Sequence, residues 1–191
     1  MKSLILLSKI SILFCLVSSD ACAMPKVNIN TEYYLIHGST ANQLRNEMNT
    51  KSPIKQSGNT YDAYTSWFVN WRFDWKKKNG LCAMTRVKST VKVNFTLPKW
   101  ENSHSAEVNL KKRWTHYYNA LITHENEHKD FGINAAKEVE NRLSVLSAKN
   151  CSSLKNKANR LGKEIIDKYV VLEKKYDKNT NHGMKNGAVF P

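Results

Sequence analysis

The chain has 191 residues and a formal net charge of +14, with 30 lysines and arginines. This charge favours acidic partners such as anionic lipid head groups and other acidic envelope components, although a merely soluble, lysine-rich surface is the simpler explanation. The basic residues are scattered and form no compact basic motif or RNP-like signature, which argues against nucleic-acid binding. No stretch after residue 23 has the roughly 18 consecutive apolar residues of a membrane-spanning helix, so the sequence predicts no transmembrane segment.

The first 23 residues have the pattern of a secretory signal peptide. Lysines flank an apolar run over residues 10–17, and residues 21–23 form an A-x-A cleavage site. We therefore predict export to the periplasm or the cell exterior, with a single mature domain over residues 24–191. Acylation of Cys22, as in a lipoprotein, is the less favoured alternative. Cleavage leaves a net charge of +13, because the segment contains two lysines and one aspartate.

The cysteines predict one disulfide bond. Cleavage removes Cys15 and Cys22 and leaves only Cys82 and Cys151. Two cysteines in an exported protein are typical of a disulfide, and no motif around either one indicates a nucleophile or a metal ligand. The closed loop of about 70 residues would contribute roughly 4 kcal/mol in the chain-entropy model.

The mature chain begins with a predicted strand and a short helix. Residues 31–37 read as a strand that Gly38 ends, and residues 40–43 form a capping box that opens a helix through about Met48. Residues 49–60 are rich in polar residues, glycine and proline and read as a loop.

Two long alternating segments predict a β-hairpin with one buried face. Aromatic and aliphatic side chains occupy every second position over residues 61–75 and 83–97. A two-residue turn at Asn79-Gly80 would place the apolar side of one strand against the charged side of the other. We therefore expect a three-residue loop, Lys78 to Gly80, which sets Trp71 opposite Val87.

Two helices follow the hairpin. Pro98 stops the second strand, and Ser103 or Ser105 can cap a long helix through about Leu146. The second helix begins near Cys151 and should end before the aperiodic tail at 177–191. Its expected inward side chains are Leu154, Ala158, Leu161, Ile165, Tyr169 and Leu172. The fold class is α+β: a mostly antiparallel sheet, made of the hairpin and the N-terminal strand, packed against two long α-helices.

The long helix carries the pattern H-E-x-x-H at His124, Glu125 and His128. Residues four apart share one helix face, so both imidazoles can bind one Zn²⁺ ion, with Glu125 beside the metal-bound water as general base. Glu125 and His128 also fall on the core-facing stripe, where unpartnered polar groups are costly. The alternative is an exposed helix face that carries these residues by chance, which composition allows in about one such chain in a hundred.

A catalytic zinc site needs a third protein ligand from another segment. The metzincin pattern is excluded, because Phe131 and Asn134 stand at its glycine and third histidine positions. Glutamate from the following helix would have to be Glu164 or Glu173. We favour His182, beside a glycine in the tail.

Two further residues complete the candidate metal site. His37, at the end of the first strand, is the main rival of His182 as third ligand. Asp177 is the candidate for orienting a ligand imidazole from the second coordination shell.

The chain resembles a bacterial family of unknown function, number 922 among such families, described as predicted secreted zinc-dependent proteases. The resemblance covers nearly the whole mature chain. It rests on Tyr33-Tyr34 with Gly38, Thr65-x-Trp67, Trp71-Arg72-Phe73, Cys82, Leu97-Pro98-x-Trp100, Leu121-x-x-His124-Glu125-x-x-His128, Cys151, Tyr176-Asp177-x-x-Thr180-x-His182-Gly183 and Gly187 to Pro191. The resemblance implies that His182 belongs to a motif. It adds little on proteolysis, since the description of the family itself derives from H-E-x-x-H.

Two functions are compatible with these features. The first is a secreted or periplasmic zinc-dependent peptidase that acts on a peptide or protein, with Tyr176, Arg72 or His37 stabilising the oxyanion. The alternative is a non-catalytic basic binding protein of the envelope whose zinc site is structural. Glu125 separates the two, because a structural site has no use for a carboxylate at that position.

Overall fold

The computed structural model describes residues 24–191, apart from Ser57. The predicted signal peptide, with Cys15 and Cys22, lies outside the described residues, and its cleavage stays a prediction. Within residues 24–191, none of the helices combines the length and apolar character needed to cross a bilayer.

The fold is α+β, as predicted. The strands are β1 (Lys26–Ile36), β2 (Lys55–Gln56), β3 (Asn59–Thr60), β4 (Tyr64–Lys78), β5 (Leu81–Trp100) and β6 (Ser147–Ala148). The α-helices are α1 (Ala41–Lys51), α2 (Val108–Ser144) and α3 (Cys151–Thr180), and short 3₁₀ turns cover Ser103–Ser105 and Met184–Asn186. Glu107 precedes α2 without a side-chain cap, so the prediction that Ser103 or Ser105 caps this helix is wrong.

The main sheet has the order β1-β5-β4, with β6 paired to the start of β5. The hairpin strands β4 and β5 are antiparallel, whereas β1 is parallel to β5. The sheet is therefore mixed. The parallel pairing is possible because α1 and the hairpin form a long connection between β1 and β5.

The hairpin turn corrects the predicted register. Asn79 and Gly80 form a two-residue turn, both with positive φ (51° and 76°), and Lys78 pairs with Leu81. A bulge between Asp74 and Trp75 then restores the pairing of apolar side with apolar side. The predicted three-residue loop is wrong, and the partner of Trp71 is Ser89 rather than Val87. The extra residue that aligns the apolar faces of the two strands therefore lies inside β5, opposite Asp74 and Trp75, and not in the turn.

The core lies between one face of the sheet and the two long helices. Odd-numbered residues of β5 from Val87 to Leu97, including Val91, Val93 and Phe95, are buried under α2. A second cluster joins β5, the C-terminal half of α2 and α3 around Leu143 and Leu154. The predicted disulfide is present: Cys82 on β5 is bonded to Cys151, the first residue of α3, with a Cα–Cα distance of 5.2 Å.

Candidate metal centre

The H-E-x-x-H segment lies in the middle of α2, on the side facing the sheet. His124, Glu125 and His128 are only 4%, 4% and 6% exposed. They follow Leu121 and precede Gly132 on the same buried stripe of the helix. The packing that buries this stripe therefore also removes three titratable side chains from water, and such burial requires a compensating partner.

Three donor atoms converge at this point. The Nε2 atoms of His124 and His128 are 3.2 Å apart, and Oδ1 of Asp177 lies 3.2 Å from the first and 3.0 Å from the second. Oδ1 of Asp177 is buried but makes no hydrogen bond of good geometry. A buried carboxylate oxygen beside two imidazole nitrogens, without a hydrogen bond of good geometry, is compatible with a site that holds a metal ion.

This donor set fits a divalent transition-metal ion. Zinc bonds of about 2.0–2.1 Å at tetrahedral angles place neighbouring donors about 3.3 Å apart, close to the three distances found here. Two imidazoles and one carboxylate are donors that zinc accepts. Residues His124, His128 and Asp177 could thus hold the ion, which agrees with the predicted ligand roles of both histidines.

Glu173 fixes the orientation of one ligand. Its Oε1 lies 2.9 Å from Nδ1 of His128 and accepts a hydrogen bond from Nε1 of Trp67 at 3.1 Å. A proton on Nδ1 of His128 leaves the lone pair of Nε2 free, which is the tautomer that a metal ion needs. Glu173 was considered above only as a third ligand. In the structure it contacts Nδ1 of His128 and not the three converging donor atoms.

The charges in the metal-free site depend on one another. Burial opposes protonation of His128, but its contacts with Asp177 and Glu173 outweigh burial and raise its pKa to about 10. Burial likewise opposes ionisation of Asp177, while the adjacent His124 and His128 hold the pKa of that carboxyl well below its usual value. These contacts favour an imidazolium–carboxylate pair, and a bound cation would take the place of the proton.

Glu125 lies beside the donor set without belonging to it. Oγ1 of Thr65 on β4 donates a hydrogen bond to Oε2 of Glu125, and no lysine or arginine of the described chain forms an ion pair with this carboxylate. Burial raises the pKa of the Glu125 carboxyl above its usual value. A buried carboxylate whose only hydrogen-bond donor is a neutral hydroxyl remains available to accept a proton.

The structure places Asp177 on α3, which continues to Thr180, so the predicted start of an aperiodic tail at Asp177 is wrong. The inward stripe of α3 continues through Tyr169 to Glu173 and Asp177, whereas Leu172, which we expected to point inward, is 38% exposed. The signal was available in the sequence: Glu173 and Asp177 extend the spacing of four residues beyond Tyr169. The predicted inward stripe did not extend this far, because acidic side chains are not typical of the buried face of a helix.

His182 lies at the rim of the site. Its Nδ1 is 3.7 Å from Oδ1 of Asp177, its ring packs on Tyr61, and its side chain is about half exposed. Its φ of 50° is unusual for a residue other than glycine and is typical of functional positions. The prediction that His182 is the third ligand stays a prediction, with Asp177 nearer to both imidazoles.

The other candidates occupy different places. The ring of Tyr176 stacks on His124, with centroids 5.0 Å apart, so Tyr176 belongs to the site. Burial and nearby carboxylates raise the pKa of Tyr176 to about 12. His37 lies outside the donor group, with Nδ1 facing Glu47 at 3.9 Å, and Arg72 lies on the exposed face of β4 opposite Lys88. The structure does not bring either residue to the metal centre.

The donor set opens into a cavity of about 690 Å³. This volume is within the usual range for ligand sites. Besides the metal-centre residues, its walls include Arg45, Tyr61, Tyr64, His182 and Phe190. The centre is therefore buried at its base but reachable by a ligand.

Comparisons with known proteins identify one family. The model of the bacterial protein family of unknown function DUF922 matches residues 31–183, which include the second half of β1, the strands β4 and β5, both long helices and the whole candidate site. Comparison with curated proteins gives no match, and comparison with solved structures gives none either.

Proposed function

The chain belongs to the DUF922 family, whose function is unknown, and we propose that it is a zinc-dependent peptidase. The observation that carries this proposal is the position of Glu125. This carboxylate is buried beside three converging metal-donor atoms, at the base of an open cavity, and forms no ion pair with a lysine or arginine of the described residues. A purely structural metal site would gain nothing from it.

His124, His128 and Asp177 would hold the ion. When bound, zinc would act as a Lewis acid and make a water molecule acidic at neutral pH. His128 is kept in position by Glu173, and His124 is covered on one face by the ring of Tyr176. The remaining chemistry falls to side chains that accept, hold or donate protons.

Glu125 would accept a proton from the attacking water and pass it to the leaving amine. Its raised pKa suits both steps, because a carboxyl with a higher pKa is a stronger base and still releases its proton near neutral pH. Oγ1 of Thr65 fixes the carboxylate from the side of β4. His182, at the rim of the cavity, is the candidate to donate a hydrogen bond to the developing oxyanion, whereas Tyr176 stacks on His124 and does not line the cavity.

We further propose that the protein acts after export, in the periplasm or outside the cell. The signal-peptide pattern and the disulfide support this location, because such bonds persist in oxidising compartments. The net charge of the chain, +14, would favour substrates or surfaces with acidic groups.

The test compares the mature wild-type protein with Glu125→Gln, both loaded with zinc, on reduced and carboxymethylated serum albumin as an unfolded substrate. We expect about one zinc per chain in both proteins and a loss of cleavage rate of roughly 10²- to 10⁴-fold in the variant. Glu127→Gln, an exposed glutamate two residues further along α2, is the matched control and should cleave normally.

Zinc-loaded wild-type protein that cleaves no unfolded protein would contradict the proposal and leave the structural zinc site as the explanation. Equal cleavage by wild type and Glu125→Gln would contradict the role of Glu125. Wild-type protein purified without chelators and free of metal would refute the metal centre itself.

A further inference from the structure

Strand β4 has an open edge. Its fifteen residues pair with β5 on one side, and the described part of the chain places no strand on the other side. Every second residue of an edge strand points its N–H and C=O groups away from the sheet, and proteins usually protect such groups with charged residues, proline or a bulge. A stretch of β4 that lacks such protection is therefore a candidate site for pairing with another chain.

The protection is confined to the distal half of β4. Residues 72–78 contain five charged side chains, and the bulge at Thr85 of β5, opposite Asp74 and Trp75, twists this half of the hairpin. Residues 64–71, Tyr-Thr-Ser-Trp-Phe-Val-Asn-Trp, contain no charge and no proline, and Phe68 is 59% exposed. The unprotected half is the one that starts at the metal centre, where Thr65 contacts Glu125.

A groove of about 630 Å³ runs along this unprotected half. We call it the β4 groove; it is bounded by residues 64–70 of β4, by Lys92 of β5 and by Ile166, Val170 and Glu173 of α3. Tyr64, Thr65 and Glu173 line both this groove and the cavity of the metal centre. The two spaces therefore adjoin at the start of β4, next to the metal centre.

We propose that the β4 groove binds the substrate as an extended polypeptide that adds a strand to the edge of β4. The open backbone groups of β4 offer a regular repeat of donors and acceptors, and an extended chain matches this repeat. Side chains at alternate positions of that chain would face Ile166 and Val170, which favours apolar residues there. A groove between one strand and one helix admits a single chain, so the substrates would be unfolded or flexible segments.

This inference rests on the proposed function and names the substrate class for it. The test measures binding of a fluorescent, random-sequence peptide mixture of twelve residues to the zinc-loaded mature protein carrying Glu125→Gln, which should not cleave it. Val170→Trp fills the groove and is expected to weaken binding by at least about tenfold. Val171→Trp is the matched control, because Val171 is the next residue and is 64% exposed, and it should bind normally.

Hydrogen exchange provides a second readout. Bound peptide should slow amide exchange in residues 64–71 but not in β1, the strand at the opposite edge of the sheet. Ile166→Trp is a second groove-filling variant in case Val170→Trp folds poorly, and circular dichroism melts check both.

The outcomes separate the two proposals. No binding to the Glu125→Gln protein, or equal binding by the groove-filling and control variants, would overturn the inference. Wild-type protein that cleaves unfolded albumin while Val170→Trp cleaves it with an unchanged KM would overturn the inference and leave the peptidase proposal standing. Peptide bound along β4 by a protein that cleaves nothing would support the inference and refute the proposed function.

Discussion

At the scale of single residues, the site divides its carboxylates among three tasks. Asp177 contacts both imidazoles, Glu173 holds the far nitrogen of His128, and Glu125 contacts neither imidazole within hydrogen-bond distance. The chain as a whole is strongly basic, yet these three acidic groups surround two histidines. The negative charge of these carboxylates therefore favours binding of a cation at the centre, although the net charge of the molecule is positive.

Glu173→Gln should weaken zinc binding by about 10- to 100-fold without abolishing it. The amide cannot accept the proton of His128 Nδ1 with the strength of a carboxylate, and the imidazole loses its fixed orientation. Competition with a fluorescent zinc chelator measures the change. Glu164→Gln, an exposed glutamate on the same helix, is the control, and an equal effect of both substitutions would contradict the assigned role.

His182→Ala separates the two roles open to that residue. With Asp177 as third ligand, we expect the variant to keep about one zinc per chain and to lose cleavage rate roughly 10²- to 10³-fold, as for the loss of an oxyanion donor. Zinc content and kcat are measured on the same preparation. If His182 is instead a ligand, the variant loses zinc, and residues 181–191 become sensitive to added protease. Retention of both zinc and full activity would exclude both roles.

At the scale of secondary-structure elements, two glycines set how closely the helices approach β4. A Cβ atom added to Gly132 of α2 would lie 2.7 Å from Trp67, and one added to Gly162 of α3 would lie 2.6 Å from Trp71. The indole of Trp67 donates a hydrogen bond to Glu173, which in turn contacts His128. The indole of Trp71 instead contacts Asn159 on α3. The two contacts are similar in geometry but differ in their connection to the metal centre.

Gly132→Ala should therefore reduce both stability and zinc affinity, and Gly162→Ala only stability. Each added methyl group overpacks the interface and is expected to cost about 1–3 kcal/mol of the free energy of unfolding. Urea denaturation and chelator competition measure the two quantities. Equal zinc affinities in the two variants would contradict a connection from Gly132 through Trp67 and Glu173 to the ligand.

At the scale of the whole molecule, one buried polar cluster joins distant parts of the chain. Asp62 accepts hydrogen bonds from Arg45 of α1 and Tyr117 of α2 through its carboxylate, and from Tyr34 of β1 through its carbonyl. Arg45 also donates to the carbonyl of Phe190, whose ring is buried against Trp114 and Tyr117. The cluster holds the C-terminal segment and the start of β4 on either side of the metal-centre cavity.

This cluster predicts a loss of stability at alkaline pH. Burial, and then the charge of Asp62, raise the pKa values of Tyr34 and Tyr117 above the usual value of about 10. Because these pKa values are raised in the folded state, the protonated phenols contribute their full stabilisation below about pH 10. This contribution to the free energy of unfolding decreases as the pH rises beyond it. Urea denaturation at pH 8, 9.5 and 11 should show this decrease.

Tyr117→Phe should reduce stability at pH 8 by about 1 kcal/mol, through the lost hydrogen bond to Asp62, and should make the alkaline decrease shallower. Tyr33→Phe, at a half-exposed tyrosine of β1, is the control. A decrease of the same steepness in Tyr117→Phe and wild type would show that the Tyr117 phenol does not contribute to it.

The features that follow from the sequence alone depend on the spacing of residues within one helix or strand, or on the number of cysteines. His124, Glu125 and His128 share one face because an α-helix repeats every 3.6 residues, whatever surrounds it. The pairing of Cys82 with Cys151 follows once the signal peptide is set aside, and the α+β class follows from the alternation of the hairpin and the stripes of the helices.

The tertiary structure alone decided which groups complete the site and how the strands align. Asp177 and Glu173 reach the histidines only because α3 packs beside α2 at one particular position, and no local pattern encodes that crossing. The bulge at Asp74 and the parallel pairing of β1 were equally hidden, since each depends on contacts between segments far apart in the chain. Short-range geometry follows from residue spacing, whereas the third donor atom beside the two histidines, the strand register and the open edge of β4 depend on packing between distant segments.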